Sequence, residues 1–316
     1  MKNPIGKIAI AAGTVAGVSL AAGEVIAYLL SHRKADLDFI FHDSTKELNE
    51  FETKLKEDRR ADREWVQSLE PLEYSIVSDD GHKLYGYLLK AEKPTDKYVF
   101  CIHGYRATGI IEYDSIIRFY HELGLNVFYI DQRACGKSEG TYITYGGKEM
   151  RDCLVWLDFM LCSFGRDIKI ALHGVSLGSA TTMLLLGSDL PENVKFATCD
   201  CGYASVKGQL MHNFKQYKMP AKLSYLLYRI VCIMQLGYDP EKTSPVNAVE
   251  RCNIPVIFAH GEADDFVPYG MVYAVYDACA SKNKTLISVP GAEHARAFFV
   301  NDDLKNAIKK YIGKYM

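Results

Sequence analysis

The chain has 316 residues, enough for one large α/β domain with additions or for two small domains. Its 37 Lys and Arg against 39 Asp and Glu leave a formal net charge of −2, so there is no basic surplus to neutralise a phosphate backbone, and a nucleic-acid partner is not expected. The nine cysteines (101, 135, 153, 162, 199, 201, 232, 252 and 279) are odd in number and scattered through apolar runs, the pattern of reduced, buried thiols rather than of a disulfide framework.

Residues 8–30 are apolar or small apart from Thr14, Ser19 and Glu24. As a helix rising about 1.5 Å per residue, such a run spans a hydrocarbon core of about 30 Å. A cleaved signal peptide would have a shorter apolar stretch and a small-x-small cleavage site, for which Tyr28, Leu29 and Leu30 are poor candidates. The expectation is an uncleaved single-pass anchor over residues 1–34, which places the protein at a membrane. Lys2 and Lys7 precede the run and Arg33 and Lys34 follow it, so flanking charge does not orient it. The reduced cysteines put the catalytic domain on the cytoplasmic side. Ala9, Gly13, Gly17 and Ala21 repeat every four residues. Such a stripe lets two membrane helices approach closely, here as a homodimer through the Gly13/Gly17 face with Glu24 in its seam. The alternative is a shorter span ending near Gly23, with Glu24 among the headgroups.

Residues 35–70 are densely charged, with Leu48, Phe51 and Leu55 at helical spacing, and read as a solvated connecting helix whose Trp65 and Leu69 dock on the body. From residue 71 to 316 strands and helices alternate. Tyr74–Ser78 and Leu84–Leu89 flank an Asp-Gly turn and form a hairpin. Strands follow at Tyr98–Ile102, Asn126–Ile130, Lys169–Leu172, Val194–Thr198, Pro255–Ala259 and Thr285–Val289, with helical spacings between them. Strands separated by helices imply right-handed crossovers and parallel neighbours, hence one doubly wound, mostly parallel α/β sheet. Ligands of such sheets bind outside the carboxyl ends of the strands, so chemistry is expected just after them. Between the strands at 194–198 and 255–259 the connection is longer than a normal crossover and rich in Met, Phe, Tyr, Leu and Ile, so residues 204–246 read as a helical lid insertion. Cys199-Asp200-Cys201 would place both thiols on one strand face. With no second Cys or His pair nearby to complete about four ligands, the pair reads as core and no metal site is expected.

Gly174-Val175-Ser176-Leu177-Gly178 follows a strand and opens a helix, the setting in which G-x-S-x-G thrusts a serine hydroxyl out of a tight turn. The helix N-terminus behind Ser176 favours developing negative charge. A serine needs a base at neutral pH, and His294 lies in the loop just past the last strand. The base needs an acid to hold its tautomer, and Asp264 and Asp265 both follow the second-last strand.

With these motifs the sequence resembles the α/β-hydrolase superfamily over roughly residues 72–316, most nearly its bacterial membrane-anchored members related to carboxylesterases and serine aminopeptidase-like enzymes. The resemblance implies the α/β-hydrolase fold and selects Asp264, through the H-G-x-x-D-x-x-V-P pattern of residues 260–268, as the acid beside Ser176 and His294. It also assigns the oxyanion hole to the N–H groups of Leu177 and Tyr105. Residues 131–140 match the superfamily's D-x-R-G-x-G-x-S-x-G loop except that Ala134 stands where glycine is usual. The implied activity is cleavage of carboxylic esters (EC 3.1.1) through an acyl-enzyme, with no cofactor and no metal, and the apolar lid favours a small-molecule acyl or aryl ester over a highly charged substrate. A peptidase or amidase using the same three residues is the alternative, and a non-catalytic binding module on the same fold is a third.

Overall fold

Among the described residues eight strands form one sheet. They are β1 (Leu72–Val77), β2 (Lys83–Leu89), β3 (Lys97–Ile102), β4 (Asn126–Asp131), β5 (Lys169–Val175), β6 (Val194–Asp200), β7 (Val256–Gly261) and β8 (Lys284–Val289), in the order β1-β2-β4-β3-β5-β6-β7-β8. The structure is a computed structural model and describes residues 19–35 and 50–316. β1 and β2 pair antiparallel, as do β2 and β4, and the rest of the sheet is parallel. The strands fall close to where the apolar runs placed them, because β4 and β7 are buried on both faces and so read as unbroken hydrophobic segments.

Helices cover both faces. They are α1 (19–31), α2 (Glu50–Ser68), α3 (Gly109–Glu122), α4 (Glu149–Phe164), α5 (Leu177–Leu185), α6 (Val206–Gln216), α7 (Ala221–Val231), α8 (Pro245–Val249), α9 (Gly270–Ala278), α10 (Ala297–Val300) and α11 (Asp303–Tyr315). A π turn, Cys232–Leu236, continues α7. One core layer contains Trp156 and Met160 of α4, Met183 of α5, Phe214 of α6 and Tyr228 of α7. The other contains Ile116 and Tyr120 of α3, Phe298 of α10 and Leu304 and Ile308 of α11. Side-chain oxygens of Thr108 and Ser205 cap α3 and α6.

The amino-terminal segment corrects one expectation. Among the described residues no helix is long and apolar enough to cross a membrane. Residues 19–30, expected to form the second half of a span, instead lie on the body: Ala27 is buried in the core, and a Cβ on Gly23 would stand 2.9 Å from the Leu227 carbonyl of α7. Glu24 accepts from Gln235 Nε2 at 2.8 Å. The physical reason lies in the body, which offers both donors and acceptors to this segment. Arg106 donates to the carbonyls of Leu29, His32 and Ala35 at 3.1, 2.9 and 2.6 Å, and Arg33 donates to those of Gly136, Ser138 and Gly140. Gly13 and Gly17, with residues 8–18, lie outside the described residues.

Several charges of α2 form ion pairs. Arg59 and Arg63 both reach the buried Asp114 at 2.9 Å, Asp62 meets Arg118 at 2.9 Å, and Glu52 meets Arg296 at 3.2 Å. Trp65 packs edge-on against His121, whereas Leu69, expected to dock, is exposed.

The loop at 131–140 fastens three elements. Asp131 accepts from the N–H groups of Gly109 and Lys137, at 3.1 and 3.0 Å, while Arg133 is bidentate to Asp152 of α4 and to Asp80 of the hairpin turn. Ala134 has φ +60°, a left-handed conformation that costs a residue with a Cβ about 1–2 kcal/mol. Ala134→Gly relieves that strain but enlarges the unfolded ensemble by about 0.4–1 kcal/mol. The expected net result is a gain of about 0.5–1 kcal/mol, read as a small rise in thermal midpoint with turnover unchanged.

Candidate active site

Ser176 stands between the end of β5 and the start of α5 with φ 54° and ψ −115°, a strained turn for a residue with a side chain. Its N–H is held by the Asp200 carbonyl at 2.9 Å, which fixes the turn to the neighbouring strand. The flanking glycines are required by space: a Cβ on Gly174 would collide with the Gly178 carbonyl, and one on Gly178 with the Ile102 carbonyl.

The three residues expected from the sequence come together. His294 Nε2 lies 2.9 Å from Ser176 Oγ, and His294 Nδ1 lies 2.7 Å from Asp264 Oδ2. Of the adjacent aspartates, Asp264 is buried with its carboxylate on His294, whereas Asp265 is exposed. Asp264 Oδ1 accepts from the N–H groups of Phe266 and Val267 at 3.1 and 2.9 Å, and His260 Nε2 stands 3.0 Å from Oδ2. Burial alone would raise the Asp264 pKa, but the hydrogen bonds from His260, His294 and Val267 outweigh it and hold the carboxyl at about 2. An ionised Asp264 only accepts, so His294 carries its proton on Nδ1 and presents a bare Nε2 to the serine hydroxyl.

Leu177 is the first residue of α5, so its N–H has no intrahelical partner, and Tyr105 follows β3 beside it. Both line a narrow cavity of about 20 Å³ at Ser176, together with Leu30, Tyr145, Tyr203 and Phe266. The phenols of Tyr105 and Tyr145 both donate to the Leu30 carbonyl, at 2.6 and 2.9 Å. Sequence reasoning missed Leu30, whose apolar run pointed to lipid. It also missed the carboxyl of Asp200, where only the flanking thiols were weighed.

Asp200 is fully buried at the end of β6, and its Oδ1 has no partner among the described residues. Burial pushes its pKa up to about 7, against the pull of His260 and His294. A carboxyl raised in the folded state keeps its proton while the unfolded chain has lost it, so its contribution to stability declines as pH rises from about 4 to about 7. Burial works in the opposite direction on His173, held down at about 3, whose contribution is lost as pH falls below 6.5. The difference between parent and Asp200→Asn isolates the first effect. The variant's thermal midpoint should gain on the parent's between pH 5 and pH 8, and equal gaps at both would remove Asp200 as the cause. Cys201, Asp264 and His294 are the one cluster of potential metal ligands among the described residues. Asp264 and His294 are already bonded to each other and burial keeps the Cys201 thiol protonated, so the cluster is a poor ligand set.

The Prolyl oligopeptidase family profile matches residues 111–311, from α3 to α11. The chain belongs to this family. It is a serine hydrolase of the α/β-hydrolase superfamily, and solved structures share its fold. An esterase of Pyrococcus furiosus, Pf2001, superposes with a TM-score of 0.63 at 24% identity over 79% of this chain and 94% of that one. Est1E of Butyrivibrio proteoclasticus, solved with ferulic acid, gives 0.55 at 19% identity over 76% and 99%. Among curated relatives, protein YqkD of Bacillus subtilis is 23% identical over 298 residues, 93% of each chain. A membrane protein of Saccharomyces cerevisiae is 25% identical over 225 residues, 70% of this chain and 72% of its own.

Proposed function

We propose that this hydrolase cleaves carboxylic esters of small acyl or aryl groups, with Ser176 as nucleophile, His294 as general base and Asp264 as the group that orients it. The observation carrying this reading is the continuous hydrogen-bonded chain Asp264–His294–Ser176 opening into a cavity without a charged lining residue. As Ser176 Oγ attacks the carbonyl carbon, its proton passes to His294 Nε2. The N–H groups of Leu177 and Tyr105 receive the oxyanion, and His294 returns the proton to the leaving alcohol. Water, deprotonated by the same nitrogen, then releases the acid and frees Ser176. Leu30, Tyr105, Tyr145 and Phe266 suit an acyl chain, and no carboxylate stands in the cavity wall to receive a peptide ammonium.

Residues 204–246 act as a lid in this reading, because Gln209 and Asn213 of α6 complete the cavity wall. Residues 1–34 keep the enzyme at a membrane. The family's peptidases favour a second reading, amide cleavage by the same three residues. Full-length protein assayed on matched p-nitrophenyl esters and aminoacyl p-nitroanilides separates the two. The expected result is turnover of the esters alone, and preference for the anilides would establish the second reading.

A further inference from the structure

Helix α7 is apolar on both sides. One side, with Tyr225, Tyr228 and Val231, enters the core. The other continues through the π turn as a ridge of Leu223, Leu226, Ile230, Ile233 and Met234, spaced three and four residues apart, with Leu226 51% and Met234 67% exposed. Val25 and Tyr28 of α1 are exposed as well, on the helix that Gly23 and Glu24 press against α7 and its π turn. Apolar groups scattered singly are ordinary on a soluble surface, but a contiguous ridge over two packed helices marks an interaction site.

The surrounding charge identifies the occupant. Between Cys201 and Tyr238 the chain carries Lys207, Lys215, Lys218, Lys222 and Arg229 and no Asp or Glu, although the whole protein is slightly acidic. Lys207 and Arg229 are paired with Glu241 and Asp239, while Lys215, Lys218 and Lys222 are exposed and form no ion pair among the described residues. An apolar helix face that carries Lys222 and is preceded in the chain by Lys215 and Lys218, against the single carboxylate Glu24 on α1, is the chemistry of a helix lying in the headgroup layer of an anionic bilayer. The covalent path agrees. Residues 8–18, which precede α1 in the chain, contain no charged residue, and Gly23 of α1 lies against α7.

We propose that the α7 ridge, with Val25 and Tyr28 of α1, is a docking surface for an anionic lipid bilayer. The hydrolase then rests on the membrane by its own lid helix, in addition to whatever residues 1–18 contribute. Leu30, at the end of α1, is also in the wall of the Ser176 cavity, so the bilayer meets the protein beside the element that covers the site.

The test places a tryptophan in the full-length chain at Met234, and in a control at Val77, an equally exposed position on β1. Each is mixed with vesicles of phosphatidylglycerol and phosphatidylcholine brominated near the headgroup end of the acyl chain. A ridge sunk about 5–10 Å into the interface brings the Met234→Trp emission down by about half and leaves Val77→Trp unchanged. Reversing Lys215, Lys218 and Lys222 to Glu weakens vesicle binding by at least about fivefold per lysine. Vesicle flotation without quenching at position 234 would mean that residues 1–18 alone attach the protein, and would overturn the proposal. So would emission at 234 that is already blue-shifted without lipid and indifferent to it, the sign of a ridge covered by residues 1–18 or by a second copy. Ser176→Ala must dock like the parent, so a failure of docking and a failure of the catalytic assignment are read separately.

Discussion

Ser176→Ala should lower kcat on a p-nitrophenyl ester by about 10⁴–10⁶-fold, and His294→Gln should lower it as far, because neither attack nor proton transfer survives the loss of either partner. Combining the two should cost little more than one alone, since groups that act as a unit are not additive. Asp264→Asn should cost about 10⁴-fold through a different cause. The carboxylate accepts from four donors, two backbone N–H groups on Oδ1 and both rings on Oδ2, and an amide has only one oxygen, so keeping it on Phe266 and Val267 turns an NH2 toward His294. His294 would then lose its fixed tautomer and offer Nε2–H to the serine instead of a lone pair. Asp265→Asn, one residue away and exposed, is the control and should leave kcat within about twofold of the parent, as for surface substitutions remote from special features. Ester turnover that survives Ser176→Ala, or an Asp265→Asn loss matching that of Asp264→Asn, would remove the proposed chain from the mechanism. Ser176→Ala and His294→Gln should retain the parent's circular dichroism, because neither residue belongs to the apolar core clusters.

What the sequence made legible follows from how locally each feature is encoded. The sheet was legible because β3 to β7 are buried runs punctuated by helical spacings. The tight turn at Ser176 was legible because it requires glycines at 174 and 178, where backbone carbonyls leave no room for a Cβ. His294 needed only its position after β8. Asp264 and Asp265 are alike in composition, and it takes the fold to turn one carboxylate toward His294 and the other to solvent. Residues 19–30 departed from expectation for a physical reason. Apolar helices that span lipid and apolar helices that fill a groove in a protein share a hydropathy pattern, and the discriminating partners lie far away in sequence, at Tyr105, Arg106, Tyr145 and Tyr228. Asp200 was invisible as an ionisable group because its environment, not its neighbours in the chain, raises its pKa.

Leu30→Ala should change which ester is preferred. The cavity at Ser176 holds little more than one water-sized group, and Leu30 is one of its walls, so the described conformation accommodates an acetyl group better than longer chains. The strap carrying Leu30 is fixed through its backbone, by Tyr105 and Tyr145 at the Leu30 carbonyl and by Arg106 on either side, so removing the side chain should leave the strap in place and open space beside the serine. Each methylene that enters this space is worth about 0.8 kcal/mol, or about fourfold. Two methylenes should therefore raise the kcat/KM ratio of butyrate to acetate ester by roughly 15-fold over the parent, measured without lipid. Val25→Ala, on the exposed side of the same helix, should leave the ratio unchanged. A parent enzyme that already prefers long chains, with a ratio indifferent to Leu30→Ala, would mean that the strap leaves the site before substrate enters.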